Sequence, residues 1–179
     1  MQCPKCSHSG LEPTKIEDGL SAMGCGQCQG ALVSLLYYRD WAEKSGMVHD
    51  APSVELLKGF ESADSAAALA CPKCSRLMQK FRISGCSNNR LDLCNSCDEA
   101  WLDDGEWALL KALELSKEMP LVFSAQWQKK VRDQVSEEAR RERFTRILGH
   151  EDLEKAHEFR QWIKDHPRRN DIMFYVNHS

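Results

Sequence analysis

Four Cys-x-x-Cys pairs constrain this chain more than any other feature. They are Cys3/Cys6, Cys25/Cys28, Cys71/Cys74 and Cys94/Cys97, and they hold eight of its nine cysteines. Two residues between cysteines make a tight knuckle that aims both sulfurs at one point, and Pro4 and Pro72 pre-set φ in two of the knuckles. Eighteen residues separate Cys6 from Cys25 and nineteen separate Cys74 from Cys94. Both gaps fit the spacing of a four-thiolate zinc site. Four sulfurs at ~2.3 Å close a tetrahedral shell with no open position, the structural rather than the catalytic form of zinc. The sequence therefore implies two structural zinc ions per chain. One is held by Cys3, Cys6, Cys25 and Cys28, the other by Cys71, Cys74, Cys94 and Cys97. An iron site for electron transfer and a redox or zinc-sensing switch are the less favoured readings. Cys86 and His8 are spare groups, because both ligand sets are complete without them.

The pairs also divide the chain. Cys3-Pro-Lys-Cys6 recurs as Cys71-Pro-Lys-Cys74, so residues 1–46 and 71–119 read as two copies of one zinc ribbon, the second with a trailing helix. Between the cysteine pairs of the first copy, Asp18-Gly19 is a hairpin turn signal flanked by LEPTKIE and LSAMG. In the second copy RLMQKFRI and RLDL flank the polar SGCSNN. A hairpin this short cannot bury enough surface to fold alone, and a structural zinc supplies ~10–16 kcal/mol. Residues 47–70 read as a linker with a short helix over Val54–Phe60, and residues 120–179 as a helical C-terminal region. The expected fold class is α+β: two hairpin ribbons joined by a linker and followed by helices.

After Cys97 the chain reads CDEAWLDDGEW. Asp103 is placed to cap a helix, with Glu106 at the capping-box position and Leu102 and Trp107 as a hydrophobic staple. Over residues 71–113, CPKCSRLMQKFR and RLDLCNSCDEAWLDDGEWALLKAL resemble the bacterial transcription-factor-IIB-type zinc-ribbon family, which follows its second knuckle with Gly-x-Trp-Leu-Asp-x-Gly-Glu. Trp101, Leu102, Asp103, Gly105 and Glu106 match that motif, whereas Glu99 stands where the family has glycine. The first copy keeps the glycine as Gly30 but carries Leu32-Val33-Ser34 in place of Trp-Leu-Asp, so Ala31–Tyr38 is expected to be an extra strand before a short helix. The resemblance implies a ribbon fold and an association with nucleic acid. The helix start leaves Trp101 and Glu99 unexplained, and they become candidate partner-contact residues.

In the C-terminal third, Ser124 is placed to cap a helix that runs to Leu148, with Gly149 as its stop. A second helix follows over about Glu151–Asp165, and Asn170 can cap a short terminal helix, with a strand as the alternative. The net charge of −3 lacks the strongly basic balance of many nucleic-acid binders. The second hairpin is locally basic, and Arg76, Lys80, Phe81, Arg82 and Arg90 are its candidate nucleic-acid contacts. Together these features predict a cytoplasmic, non-enzymatic zinc-binding protein that engages a protein partner. Weak nucleic-acid binding is the alternative, with no membrane and no small-molecule substrate.

Overall fold

The computed structural model describes residues 1–8, 10–46 and 64–178. The helix expected over Val54–Phe60 lies outside the described residues.

The first hairpin forms around the Asp18-Gly19 turn. Strand β1 (Glu12–Glu17) pairs antiparallel with β2 (Leu20–Gly24), Glu17 standing opposite Leu20. Gly19 takes φ of +77°, a left-handed conformation that carries no Cβ penalty for glycine. After the second knuckle come β3 (Ala31–Ser34) and helix α1 (Leu35–Lys44). The extra strand expected over Ala31–Tyr38 is thus real but stops at Ser34. Leu35, Tyr38 and Trp41 are spaced to share one helical face, and all three are buried. The second copy repeats the hairpin as β4 (Gln79–Arg82) and β5 (Arg90–Cys94), followed by β6 (Glu99–Leu102).

The two ribbons are joined edge to edge into one six-stranded antiparallel sheet, ordered β1-β2-β3-β6-β5-β4. The seam is the β3–β6 pair, in which Leu32 lies opposite Trp101. Each of these residues stands four positions after the last cysteine of its own ribbon, so equivalent positions face each other about a local two-fold axis. Side chains alternate across the seam with the period of two that strands impose. Val33, Ala100 and Leu102 enter a core capped by α1 and the helices that follow β6, while Leu32 and Trp101 enter a smaller core shared with the cysteines. Every residue of β6 is therefore buried.

Helix α2 (Glu106–Ala112) begins later than a cap at Asp103 would place it, with Gly105 at φ of +83° as its entry. Only one half of the expected capping box forms: the Glu106 carboxylate accepts the Asp103 backbone N–H at 2.8 Å. The Asp103 side chain is engaged elsewhere, as described below. A short helix, α3 (Met119–Val122), follows. The Tyr38 hydroxyl donates to Ser116 O at 2.8 Å and accepts from Met119 N–H at 2.9 Å, tying α1 to the α2–α3 connection.

Residues Met1–Asp133 form one compact unit and Gln134–Ser179 a second. Helix α4 (Ala125–Leu148) runs through the boundary. Ser124 caps it as expected, its Oγ accepting from Trp127 N–H at 3.1 Å. At the far end Gly149 takes φ of +79° with an extended ψ and donates its N–H to Thr145 O at 2.8 Å, a backbone conformation open to glycine in which the chain leaves the helix. The second unit continues with α5 (His150–Lys164) and α6 (Arg169–Asn177). The terminal segment is thus helical rather than a strand, and Asn170 lies inside its first turn rather than at a cap. Among the described residues of this unit, Phe144, Ile147, Trp162, Phe174 and Tyr175 are exposed.

Candidate metal centres

The four knuckles share one backbone geometry. The residue immediately after the second cysteine takes a left-handed conformation in each: Ser7, Gln29, Ser75 and Asp98, with φ between 55° and 61°. The N–H of that residue returns to the carbonyl of the first cysteine, at 3.1, 2.9, 2.8 and 2.9 Å in chain order. Backbone N–H groups also point at the sulfurs, as do those of Lys5 and Cys6 toward Cys3 and those of Lys73 and Cys74 toward Cys71. Such donors stabilise thiolates, the form a metal binds. In each pair the first cysteine is buried and the second is partly exposed.

Cys3, Cys6, Cys25 and Cys28 form one group and Cys71, Cys74, Cys94 and Cys97 the other, with all sulfurs of a group within 4.8 Å of one another. The sulfurs of Cys3 and Cys28 and of Cys6 and Cys25 lie 3.5 Å apart, and those of Cys74 and Cys94 3.6 Å apart. A tetrahedron with metal–sulfur arms of ~2.3 Å has edges of about 3.8 Å, whereas a disulfide would bring sulfurs to ~2.05 Å. Both groups therefore fit a four-coordinate metal ion. Cys86 is exposed in the second hairpin turn and His8 is exposed, and neither belongs to a group.

The Trp101 side chain passes between the ribbons. It is fully buried, and its Nε1 donates to Asp103 Oδ1 at 2.9 Å. Its six-membered ring lies over Gly30 so closely that a Cβ there would sit 2.3 Å from Cζ2. Gly30 is thus the glycine that the tryptophan of the other copy requires. Position 99, the equivalent of Gly30, carries no such demand, since the residue equivalent to Trp101 in the first ribbon is Leu32, which has no ring. Glu99 instead pairs with Lys73 and is 3% exposed. The expectation that Trp101 and Glu99 face a partner is therefore corrected: both are spent inside the protein.

Asp103 also receives the backbone N–H of Ser65 at 2.7 Å and lies 3.1 Å from Lys5 Nζ. Lys5 belongs to the first knuckle, so a carboxylate of the second ribbon anchors a cation of the first ribbon's metal site. The bracing is reciprocal. Asp98, next to Cys97, accepts the Leu35 N–H at 2.9 Å through its carbonyl and pairs with Arg39 at 2.6 Å through its carboxylate. The neighbouring carboxyls are strongly perturbed. Burial pushes Glu106 up to about 9, despite the Asp103 N–H that favours its charged form. Burial likewise raises Asp92 to about 6 against the opposing pull of Lys80.

The five candidate nucleic-acid residues separate. Phe81 is buried and packs edge-on against Phe123 with ring centroids 5.2 Å apart. It is removed as a contact, because a core ring cannot stack on a base. Arg76 is exposed and donates to Ser96 Oγ at 2.6 Å. Lys80, Arg82 and Arg90 line a single concavity of about 420 Å³ together with Asp64, Asn88 and Gln128. No family model, no curated protein and no solved structure matches this chain.

Proposed function

We propose that this chain is a non-enzymatic zinc-binding adaptor, in which two structural zinc ions hold a double-ribbon body and the helical C-terminal unit docks a protein partner. The observation that carries the first part is the pair of four-sulfur groups with near-tetrahedral spacing. A shell of four protein sulfurs leaves no position for a substrate, so the metal acts on the fold rather than on a reaction. Free thiols at that spacing suit a reducing compartment such as the cytoplasm. Support for the second part comes from Trp162, Phe174 and Tyr175, exposed on α5 and α6, since aromatic side chains are enriched where partners bind. The resemblance of residues 71–113 to the transcription-factor-IIB-type ribbons agrees with a binding module.

Metal analysis of the purified chain should return two zinc ions and no iron. Affinity capture should then retain a protein partner that is lost when Trp162, Phe174 and Tyr175 are changed to serine together. One zinc per chain, or capture indifferent to the triple change, would overturn the corresponding part.

A second reading has its own observation. Lys80, Arg82 and Arg90 converge on one concavity, as a contact with the backbone of a nucleic acid requires. On this reading the second ribbon binds nucleic acid weakly and with strong salt dependence. Mobility-shift assays with and without Arg82→Ala test it.

A further inference from the structure

The concavity on the β4–β5 hairpin has a composition that folding alone does not call for. Arg82 and Arg90 stand directly opposite each other in the ladder, next to the Lys80–Asp92 pair. Like charges placed directly across two strands repel and destabilise a hairpin. Only part of that repulsion is answered within the described residues. Asp64 takes the Arg90 guanidinium through both Nε, at 3.1 Å, and Nη2, at 2.5 Å, and Asp92 takes the Lys80 ammonium at 2.8 Å. The Arg82 guanidinium meets a neutral partner, Asn88 Oδ1, at 2.5 Å. The floor is fixed by Gln128, whose side-chain amide brackets the Arg82 peptide: Oε1 accepts its N–H at 3.2 Å and Nε2 donates to its carbonyl at 2.9 Å. The backbone beneath Arg82 is therefore held while its charged end stays available.

We propose that this concavity is a binding site for a phosphoryl group, with Arg82 as the principal contact and Lys80 and Arg90, each also paired with a carboxylate, as secondary donors at its edge. The inference deepens the nucleic-acid reading and rests on the same concavity, but it names the recognised chemistry as phosphate rather than base. A guanidinium presents a planar fork of donors that matches phosphate oxygens. None of the six lining side chains is aromatic, and the nearby Phe81 is committed to the core, so base stacking adds nothing here. The concavity of about 420 Å³ has room for one or two phosphoryl groups. A free phosphorylated metabolite and a nucleic-acid backbone carry the same group, and the experiment separates them.

The zinc-loaded full chain, isotope-labelled, is titrated at low salt with inorganic pyrophosphate and separately with a short single-stranded oligonucleotide. The arginine Nε–H resonances of Arg82 and Arg90 are followed. Saturable shifts of both with pyrophosphate are expected, and Arg82→Ala should weaken binding about tenfold, the equivalent of ~1.4 kcal/mol. Arg82→Lys should recover part of the loss. The Arg82 side chain is surface-placed and its backbone bonds to Gln128 survive these changes, so the variants should remain folded, which the same spectra report. If pyrophosphate and oligonucleotide both bind and compete, the site and the nucleic-acid reading stand together. Pyrophosphate binding alone upholds the site and removes the nucleic-acid reading. Oligonucleotide binding that neither responds to Arg82→Ala nor competes with pyrophosphate removes the site and leaves that reading to another surface. No shift with either probe overturns both.

Discussion

Replacing Gly30 by alanine drives a methyl group into the indole of Trp101: the new Cβ would lie 2.3 Å from Cζ2 and 2.9 Å from Cε2. The ring has little freedom to retreat. It is fully buried, and the bond from its Nε1 to Asp103 Oδ1 at 2.9 Å fixes its tilt. Overpacking a tight core costs ~1–3 kcal/mol and sometimes more, so we expect Gly30→Ala to cost about 3 kcal/mol. Trp101→Leu, which installs the residue the other copy has at Leu32, should cost a similar ~3 kcal/mol through lost burial and a residual cavity. In the double variant no ring remains above position 30, so adding alanine should cost almost nothing beyond Trp101→Leu alone. The coupling energy should therefore approach 2–3 kcal/mol, well outside the ~0.5 kcal/mol within which independent sites add. Denaturant unfolding of the zinc-loaded chain gives these differences. Both cysteine groups share the small core with Trp101, so chelator-driven zinc release from Gly30→Ala should accelerate at both sites. Additive single-variant costs, or release from one site only, would refute the two-fold seam as the element that joins the metal centres.

Glu106 makes a pH prediction. Its folded-state pKa is raised to about 9 by burial, against an ordinary value of ~4.3 when unfolded. Between those values the folded chain holds a proton that the unfolded chain has released, so stability falls as pH rises, by up to about 1.4 kcal/mol per unit. Glu106→Gln should be less stable overall, because its amide NH2 meets one of the N–H groups of Asp103 and Arg90 that the carboxyl accepts. Its stability should also lose that slope between about pH 6 and 8, and identical slopes in both proteins contradict the assignment. Gly149→Ala forces a left-handed φ of +79° on a residue with a Cβ, although nothing within 4 Å obstructs the new atom. It should cost about 1–3 kcal/mol, with hydrogen exchange quickening in the last turn of α4 while the sheet is unchanged. Protection lost from the sheet as well would refute that local reading.

The metal groups were legible because their chemistry is local. Each knuckle is four residues long, and its φ pattern and sulfur direction follow from Cys-x-x-Cys itself. The hairpin turn at Asp18-Gly19, the helix cap at Ser124 and the helix stop at Gly149 are legible for the same reason. The β3–β6 seam was not. Glu99–Leu102 is buried on both faces, so it lacks the alternation that marks a half-exposed strand, and its position beside Asp103 and Glu106 made a helix entry the natural reading. The side-chain role of Asp103 is not legible, because its partners Lys5 and Ser65 are distant in sequence. One signal was present: glycine was retained in the copy without the tryptophan, and the tryptophan stood in the copy without the glycine. The ring of one copy resting on the backbone of the other accounts for that exchange.

The same exchange decides whether either ribbon is a module in its own right. A zinc ribbon normally closes over its own small core, but here the knuckle cation Lys5 is held by Asp103 of the other copy. Asp98 beside Cys97 is held in turn by Leu35 and Arg39 of α1. Removing residues 1–46 would strip β6 of its partner along a seam of four residue pairs and expose Trp101, a side chain that buries ~150–250 Å². The zinc ligands of the second group are all within residues 71–97, so that fragment keeps its metal chemistry while losing the packing around it. A fragment of residues 64–133 should therefore bind one zinc but fail to form the ordered sheet, giving collapsed amide dispersion and exposed tryptophan emission. Adding a separately made 1–46 fragment with its own zinc should restore both. A well-dispersed spectrum from the second ribbon alone would show that the seam is an accessory contact, and that each ribbon evolved its core independently of the other.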